Sequence, residues 1–439
     1  MKKNSIWIML AGCFLLAGCG VRPPANAETE TEIETLTLAT LGGADLSRWV
    51  NLYNEKHTDV KIETVNYLDN YPDPREALNQ IKIEITAGKG PDLINFGRQY
   101  SPLDASSGML VDLYPFLQED ESFDRQDYYC NILDAFAVGD SLYVLVPGYK
   151  IDSYATVNDQ LARLEGMNVQ QLEDAYNMLG DDGILFPGET KKAVFGMMCY
   201  GSLENYIDWA EGTCDFNRES FKEILHFANQ FPLHLNITDE YSAKEMFAGG
   251  QALLYPVSID DASGITGVRM LFGRTPVYIG YPFDQGCGTM AGIASLAMGI
   301  SASSKNMEAS WDFIRSFLDS AYQDSITNAL PLRVSSMEQK LEEAMRAEYD
   351  ANGEKVAKGV LRFEGEEPVE IYEITEEDAE TLRSLIRKIE NNATVDYNLY
   401  NILLEEVEYL FKEDRNIDDV ANIIQNRASI YISENKQGG

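Results

Sequence analysis

Residues 36–65 read LTLATLGGADLSRWVNLYNEKHTDVKIETV, and this stretch decides the fold. Leu36-Thr37-Leu38-Ala39-Thr40 alternates as a half-buried strand does. Leu46, Trp49, Val50 and Tyr53 then recur at helical spacing, and Val60-Lys61-Ile62-Glu63-Thr64-Val65 alternates again. Strand, helix and strand in immediate succession make a βαβ unit, whose two strands must run parallel.

The same rhythm extends outward. Leu78, Ile81 and Ile85, with Lys82, carry a second helix that Gly88 and Gly90 end, and Pro91-Asp92-Leu93-Ile94-Asn95-Phe96 supplies the next strand. This is α/β architecture with a mainly parallel sheet. Leu142-Tyr143-Val144-Leu145-Val146-Pro147 reads as a strand ending in a break, after which a second α/β unit begins. Its pieces are a helix with Phe221, Ile224, Leu225 and Ala228 on one face, a helix closed by Gly249-Gly250, and the strand Gln251-Ala252-Leu253-Leu254-Tyr255. Gly280-Tyr281-Pro282 marks another break. Leu296, Met298 and Ile300 alternate as a strand, and Met307, Trp311, Ile314, Phe317 and Leu318 repeat as an amphipathic helix. The charged stretch 338–380 reads as helices. Two apolar stripes, one through Leu403, Val407 and Leu410 and one through Val420, Ile424 and Tyr431, end the chain in helices.

The N-terminus reads as an address. Lys2 and Lys3 precede an apolar run from Ile6 to Leu16 that closes in Leu16-Ala17-Gly18-Cys19, a lipoprotein signal peptide over residues 1–18 with Cys19 as the lipidated thiol. An earlier Leu10-Ala11-Gly12-Cys13 copy leaves too short an apolar region, and an uncleaved anchor would need roughly 20 apolar residues. Residues 19–35, with Pro23, Pro24 and alternating Glu and Thr, form a disordered tether.

With 439 residues and 45% hydrophobic content the chain supports two or three domains. Its formal charge of −36 becomes −38 once residues 1–18 and their two lysines are removed, which excludes nucleic acid as a partner and leaves lipid as the only hold on a membrane. Cys130, Cys199, Cys214 and Cys287 show no metal-site spacing. Cys199 and Cys214 are the local disulfide candidate, with buried free thiols the alternative. No cofactor or metal is expected.

Hydrolytic signatures are missing: there is no Gly-x-Ser-x-Gly, no His-Glu-x-x-His, and only three histidines, His57, His226 and His234. Asp181-Asp182 and Asp260-Asp261 pose as carboxylate pairs, yet 71 acids make adjacent pairs commonplace. The loops that follow the strands are more informative, because ligands of open α/β sheets bind there. They hold Phe96, Arg98, Gln99 and Tyr100 after one strand, Tyr67 and Tyr71 after another, Tyr149 after Pro147, and Tyr281 beside Pro282. Aromatic faces with amide, guanidinium and carboxylate groups suit rings bearing many hydroxyls. Core or loop packing is the competing reading for each, since the chain has 24 tyrosines.

Five segments together resemble the extracellular solute-binding lipoproteins of ABC importers, in the carbohydrate-binding branch that includes maltose-binding protein. They are Gly90-Pro91-Asp92-Leu93 with Gly108-Met109-Leu110-Val111-Asp112-Leu113, Asp140 to Pro147, Met246 to Ala252, Ser304-Lys305-Asn306 with Trp311-Asp312-Phe313-Ile314, and Ala421 to Glu434. The resemblance implies a two-lobed periplasmic-binding-protein-like (type II) fold with a hinge and an interlobe cleft. It implies an N-terminal lobe of residues 36–148 plus 284–330 and a C-terminal lobe of 149–283 plus 331–439. It places Phe96 as a cleft aromatic followed by Arg98, Gln99 and Tyr100, Tyr149 at the first hinge, Tyr200 on the second lobe's cleft loop, and Asp260 after the Gly-Gly turn. Trp209 within Asp208-Trp209-Ala210-Glu211-Gly212 resembles a motif of the Gram-positive relatives. Two departures stand out: Leu41-Gly42-Gly43 lacks a charged pair, and Ala155-Thr156-Val157-Asn158 lacks an aromatic before the Asn.

The expectation is a monomeric, lipid-anchored binding component of an ABC importer on the outer face of a Gram-positive cell membrane, partnered by permease subunits. Its ligand is a neutral mono- or oligosaccharide, with Phe96 and Trp209 stacking and Arg98, Gln99 and Asp260 orienting hydroxyls, and it performs no catalysis. The alternatives are a binding protein for another solute class, peptide or polyamine, and a surface glycosidase.

Overall fold

A computed structural model describes residues 33–437 except 43–44, 165, 181–182, 236–242, 283–287 and 363–366. The signal peptide, Cys19 and its tether, Asp181-Asp182 and Cys287 lie outside the described residues.

The opening stretch folds as its pattern dictates. β1 (Glu34–Thr40), α1 (Ser47–Lys56) and β2 (Val60–Asn66) form the βαβ unit, with Leu36 and Ile62 paired in parallel register and buried. Asp73 caps α2 (Pro74–Thr86) by accepting from the Arg75 amide at 2.9 Å, with Pro74 at the first helical position, where its missing N–H costs nothing. β3 (Leu93–Asn95) then lies parallel to β1 on its other side.

The second half of the scaffold is organised by β4 (Gly148–Thr156), a nine-residue strand. Antiparallel to it run β5 (Tyr255–Ile259), β6 (Val277–Tyr278), β7 (Met290–Ile293) and, further on, β9 (Leu330–Pro331); β10 (Asn391–Asn392) adds parallel to β7. Between β7 and β9 the chain returns to the first sheet as β8 (Met298–Ile300), antiparallel to β3, giving the order β8-β3-β1-β2. Around these sheets pack α3 (Lys191–Ser202), α4 (Glu219–Asn229), α5 (Ser263–Phe272), α6 (Met307–Arg315), α7 (Glu376–Arg387), α8 (Tyr397–Phe411) and α9 (Ile417–Gln437). The result is a mixed α/β, two-lobed fold of the periplasmic-binding-protein kind.

Several local expectations need correction. Parallel pairing dominates only among β1, β2 and β3; the sheet around β4 is antiparallel except where β10 joins β7. Residues 142–147 are extended but make only isolated bridges, such as Leu145 with Met298, and the regular strand begins after Pro147, because proline cannot donate to a ladder. Residues 251–254 likewise lead into a strand that starts at Tyr255. Within 338–380, a hairpin of Gly359–Leu361 with Val369–Ile371 separates two helices; its β-branched residues favour the pleated form. Cys199 and Cys214 are free thiols, so the local disulfide is not formed. No helix of the described residues is long and apolar enough to cross a membrane.

Candidate functional site

Alternation along β4 sends Tyr149, Ile151 and Ser153 to one face and Lys150, Asp152 and Tyr154 to the other. The first face is core. Tyr149 is fully buried, opposite Leu330 and Ile293, and its hydroxyl has no hydrogen-bond partner among the described residues; burial, with Tyr129 nearby, drives its pKa upward. Tyr149 therefore sits on the shared strand, yet its ring faces the interior.

The second face carries a polar cluster. The Lys150 ammonium lies 3.0 Å from each oxygen of the buried Asp152 carboxylate, and Ser258, directly across the β4–β5 ladder, donates to Asp152 Oδ1 at 2.7 Å. Gly292 faces Lys150 from β7. A Cβ there would stand 2.6 Å from Asp152 Oδ2 and 2.7 Å from Lys150 Cε, so a side chain at this position would push the pair out of its present geometry.

Aromatic residues wall the cluster. The Tyr281 ring meets Tyr154 edge-on at 4.7 Å and lies 5.6 Å from Tyr200, in the last turn of α3. Burial first, then the Asp152 and Tyr397 charges, raise the pKa of the Tyr200 hydroxyl, while Arg98 pulls it down. Tyr200 thus lies within electrostatic reach of Asp152 from β4, Arg98 from the first sheet's loops and Tyr397 from the start of α8. Arg98 is exposed; its Nε donates to the Ala294 carbonyl at 2.8 Å. The turn that lifts it outward is fixed by Asn95, whose Oδ1 accepts from the Gly97 and Ala297 amides at 3.0 and 3.3 Å.

Of the residues singled out from sequence, Arg98, Tyr200 and Tyr281 converge on this cluster, and Gln99 lies beside Tyr397 along one cavity wall. Others lie elsewhere. The turn that exposes Arg98 folds Phe96 and Tyr100 beneath it, where Phe96 is fully buried with its ring edge on Tyr100 at 5.8 Å. Tyr67 turns back on its own lobe to donate to Glu84 of α2. Trp209 is 5% exposed at the tip of the hairpin Ile207–Asp208 with Thr213–Cys214, lining a separate cavity of 740 Å³ with Val138, Asp140 and Arg218. Asp260 is exposed one residue beyond the end of the β4–β5 ladder. Lys150, Asp152, Ser258 and Tyr397 were not among the sequence candidates. The signal for the first two is a Lys-Ile-Asp triplet inside an otherwise apolar strand.

Chemically, the cluster compensates its own charge and offers hydroxyl and ammonium donors, carboxylate acceptors and tyrosine faces. Asp261, the partner in the Asp260-Asp261 pair, is occupied by the Ser263 amide and hydroxyl at the start of α5. Among the described residues no group of three or more His, Cys, Asp or Glu is placed to hold a metal.

No curated protein matches the sequence. Among solved structures, an oligogalacturonide-binding periplasmic protein from Yersinia enterocolitica superposes with a TM-score of 0.57 at 13% identity, over 92% of this chain and 100% of that one. A designed esterase gives 0.54 at 15% identity, and an ABC substrate-binding protein from Listeria monocytogenes in complex with cycloalternan gives 0.51 at 13%, each over 92% of this chain and all of the other. At such identities the likeness shows the fold. The family model described as bacterial extracellular solute-binding protein matches residues 38–324, most of the chain, from within β1 through α6. That match extends over well more than half of the 439 residues, and the chain belongs to the bacterial extracellular solute-binding proteins.

Proposed function

We propose that this chain is the lipid-anchored capture component of an ABC importer and binds a neutral mono- or oligosaccharide between lobes 36–148 plus 284–330 and 149–283 plus 331–439. It then delivers the ligand to permease subunits without chemical change, acting as a monomer. One observation carries the reading: at the cleft the Lys150 and Asp152 charges are spent on each other and on Ser258, leaving tyrosine faces and hydroxyl-binding groups for the ligand. A polyamine would need uncompensated carboxylates there. Two of the superposed proteins are described with saccharide ligands, which supports a saccharide over a peptide or polyamine.

A thermal-shift panel of neutral sugars, short peptides and polyamines tests this, because a ligand that binds only the folded state at about 100 times its Kd adds about 2.7 kcal/mol of stability. A sugar should raise the melting temperature of the wild type, and Gly292→Ala, which displaces the Lys150–Asp152 pair, should abolish the rise. A response to spermidine or peptides with none to sugars overturns the saccharide assignment, and release of cleaved product transfers it to a glycosidase.

The anchor is tested separately. Cys19→Ala should release the protein into the medium or leave it unprocessed, since a body of −38 charge has no other hold on an anionic membrane. A processed variant that stays membrane-bound defeats the lipoprotein assignment.

A further inference from the structure

We infer that the cleft continues past Gln99 into a second saccharide subsite, so that the ligand is an oligosaccharide spanning both; this rests on the saccharide reading above. A cavity of 720 Å³ opens there, walled by residues 72–82 and 99–104 on one side and by 395–401, Tyr431 and Asn435 on the other. That volume lies in the upper part of the roughly 300–1,000 Å³ typical of small-molecule sites, more than one pyranose ring requires. Seven of its eighteen lining residues lie beyond the stretch 38–324, so this chain's own C-terminal helices complete the wall.

The chemistry of the cavity is that of a hydroxyl-binding site. Its charges are paired internally: Arg75 with Asp73 at 2.9 Å and Lys82 with Asp104 at 2.7 Å. Asp396 accepts from the Ser101 and Tyr431 hydroxyls at 2.8 and 3.0 Å, and from the Leu399 amide at 2.9 Å as the cap of α8. The side-chain amides of Asn79, Gln99 and Asn401 have no hydrogen-bond partner among the described residues. Each amide offers an acceptor oxygen and two donor hydrogens, the complement of neighbouring sugar hydroxyls. Tyr397, 55% exposed, stands where this cavity meets the Tyr200 cluster and provides a face shared by both. Arg98 and Gln99, adjacent in sequence, make the same connection from the opposite wall.

The test is calorimetry of two linear neutral series, glucose to maltopentaose and xylose to xylopentaose, on wild type and on Asn79→Ala/Asn401→Ala. Wild-type affinity should rise about tenfold or more from one unit to three in at least one series. The variant's loss should be about tenfold greater for the trisaccharide than for the monosaccharide, as two forfeited hydrogen bonds imply. Asn401→Ala alone repeats the comparison if the double variant is destabilised. Equal affinity at every length, or an equal loss at every length, overturns the subsite and leaves the saccharide reading intact. If no sugar of either series binds the wild type, the saccharide reading falls and the subsite with it.

Discussion

Arg269→Ala should cost about 3–5 kcal/mol of folding stability, because it strips the cation from a carboxylate that cannot reach water. Asp378, 2% exposed, accepts a bidentate pair from Arg269 Nε and Nη2, both at 2.9 Å, together with the Thr266 hydroxyl at 2.9 Å and the Thr375 amide at 3.0 Å. Burial pushes its pKa up, but the hydrogen bonds from Arg269, Thr375 and Thr266 outweigh it and hold the value down at about 2. A carboxylate depressed in the folded state stabilises above the unfolded value of about 3.9, and that stability disappears as pH falls toward 2. Urea unfolding across pH should therefore show the largest wild-type advantage near neutrality, narrowing in acid. A deficit that stays constant from pH 7 to pH 2.5 would refute this account.

Gly280→Ala should cost about 2–5 kcal/mol and abolish ligand binding. Its φ of 74° is left-handed, which costs about 1–2 kcal/mol for a residue with a Cβ. That Cβ would also stand 2.3 Å from the carbonyl carbon of Gly288 and 2.5 Å from the Thr289 nitrogen. Both are backbone atoms that no rotamer change can move, which adds about 1–3 kcal/mol of overpacking. The Gly280 amide donates to Ser153 of β4 at 3.1 Å, so the strain is delivered to the strand behind the cleft and to Tyr281 next in the chain. Gly273→Ala is the control: φ is 67°, nothing lies within 4 Å of the new Cβ, and only the left-handed cost applies. Matching losses in the two variants, measured by denaturation, would show that the Gly288 contact does not matter.

The fold was legible where it depends on neighbours in sequence. The βαβ unit at 34–66, the helices over Phe221 to Ala228 and Met307 to Ile314, and the two C-terminal stripes all declare themselves by period. The antiparallel sheet was not, because β4 pairs with segments near 255, 290 and 330 and none of those partnerships leaves a local trace. At the site, neighbours one or two residues apart face opposite ways. Period-two alternation buries Tyr149 and turns Lys150 to the opposite face, and the Asn95 turn buries Phe96 while leaving Arg98 exposed. An aromatic after a strand break draws attention, but which side it faces depends on where the ladder starts. Tyr397 was hidden for another reason: it opens a helix whose apolar stripe accounts for its neighbours, and only folding brings it to Tyr200 and Gln99.

The placement of β8 between β7 and α6 also sets the order in which the chain becomes a protein. Residues 93–95 appear early in synthesis, but their outer neighbour is 298–300; the body of β4 waits for 290–293, and its first two residues wait for 330–331. A polypeptide emerging N-terminus first exposes unpaired edges of both sheets until most of its length is available, a topology that is slow to form and prone to aggregate in the interval. Neither half can mature before the other is nearly complete. A nascent chain stalled near residue 290 should be protease-sensitive throughout, with no protected N-terminal fragment.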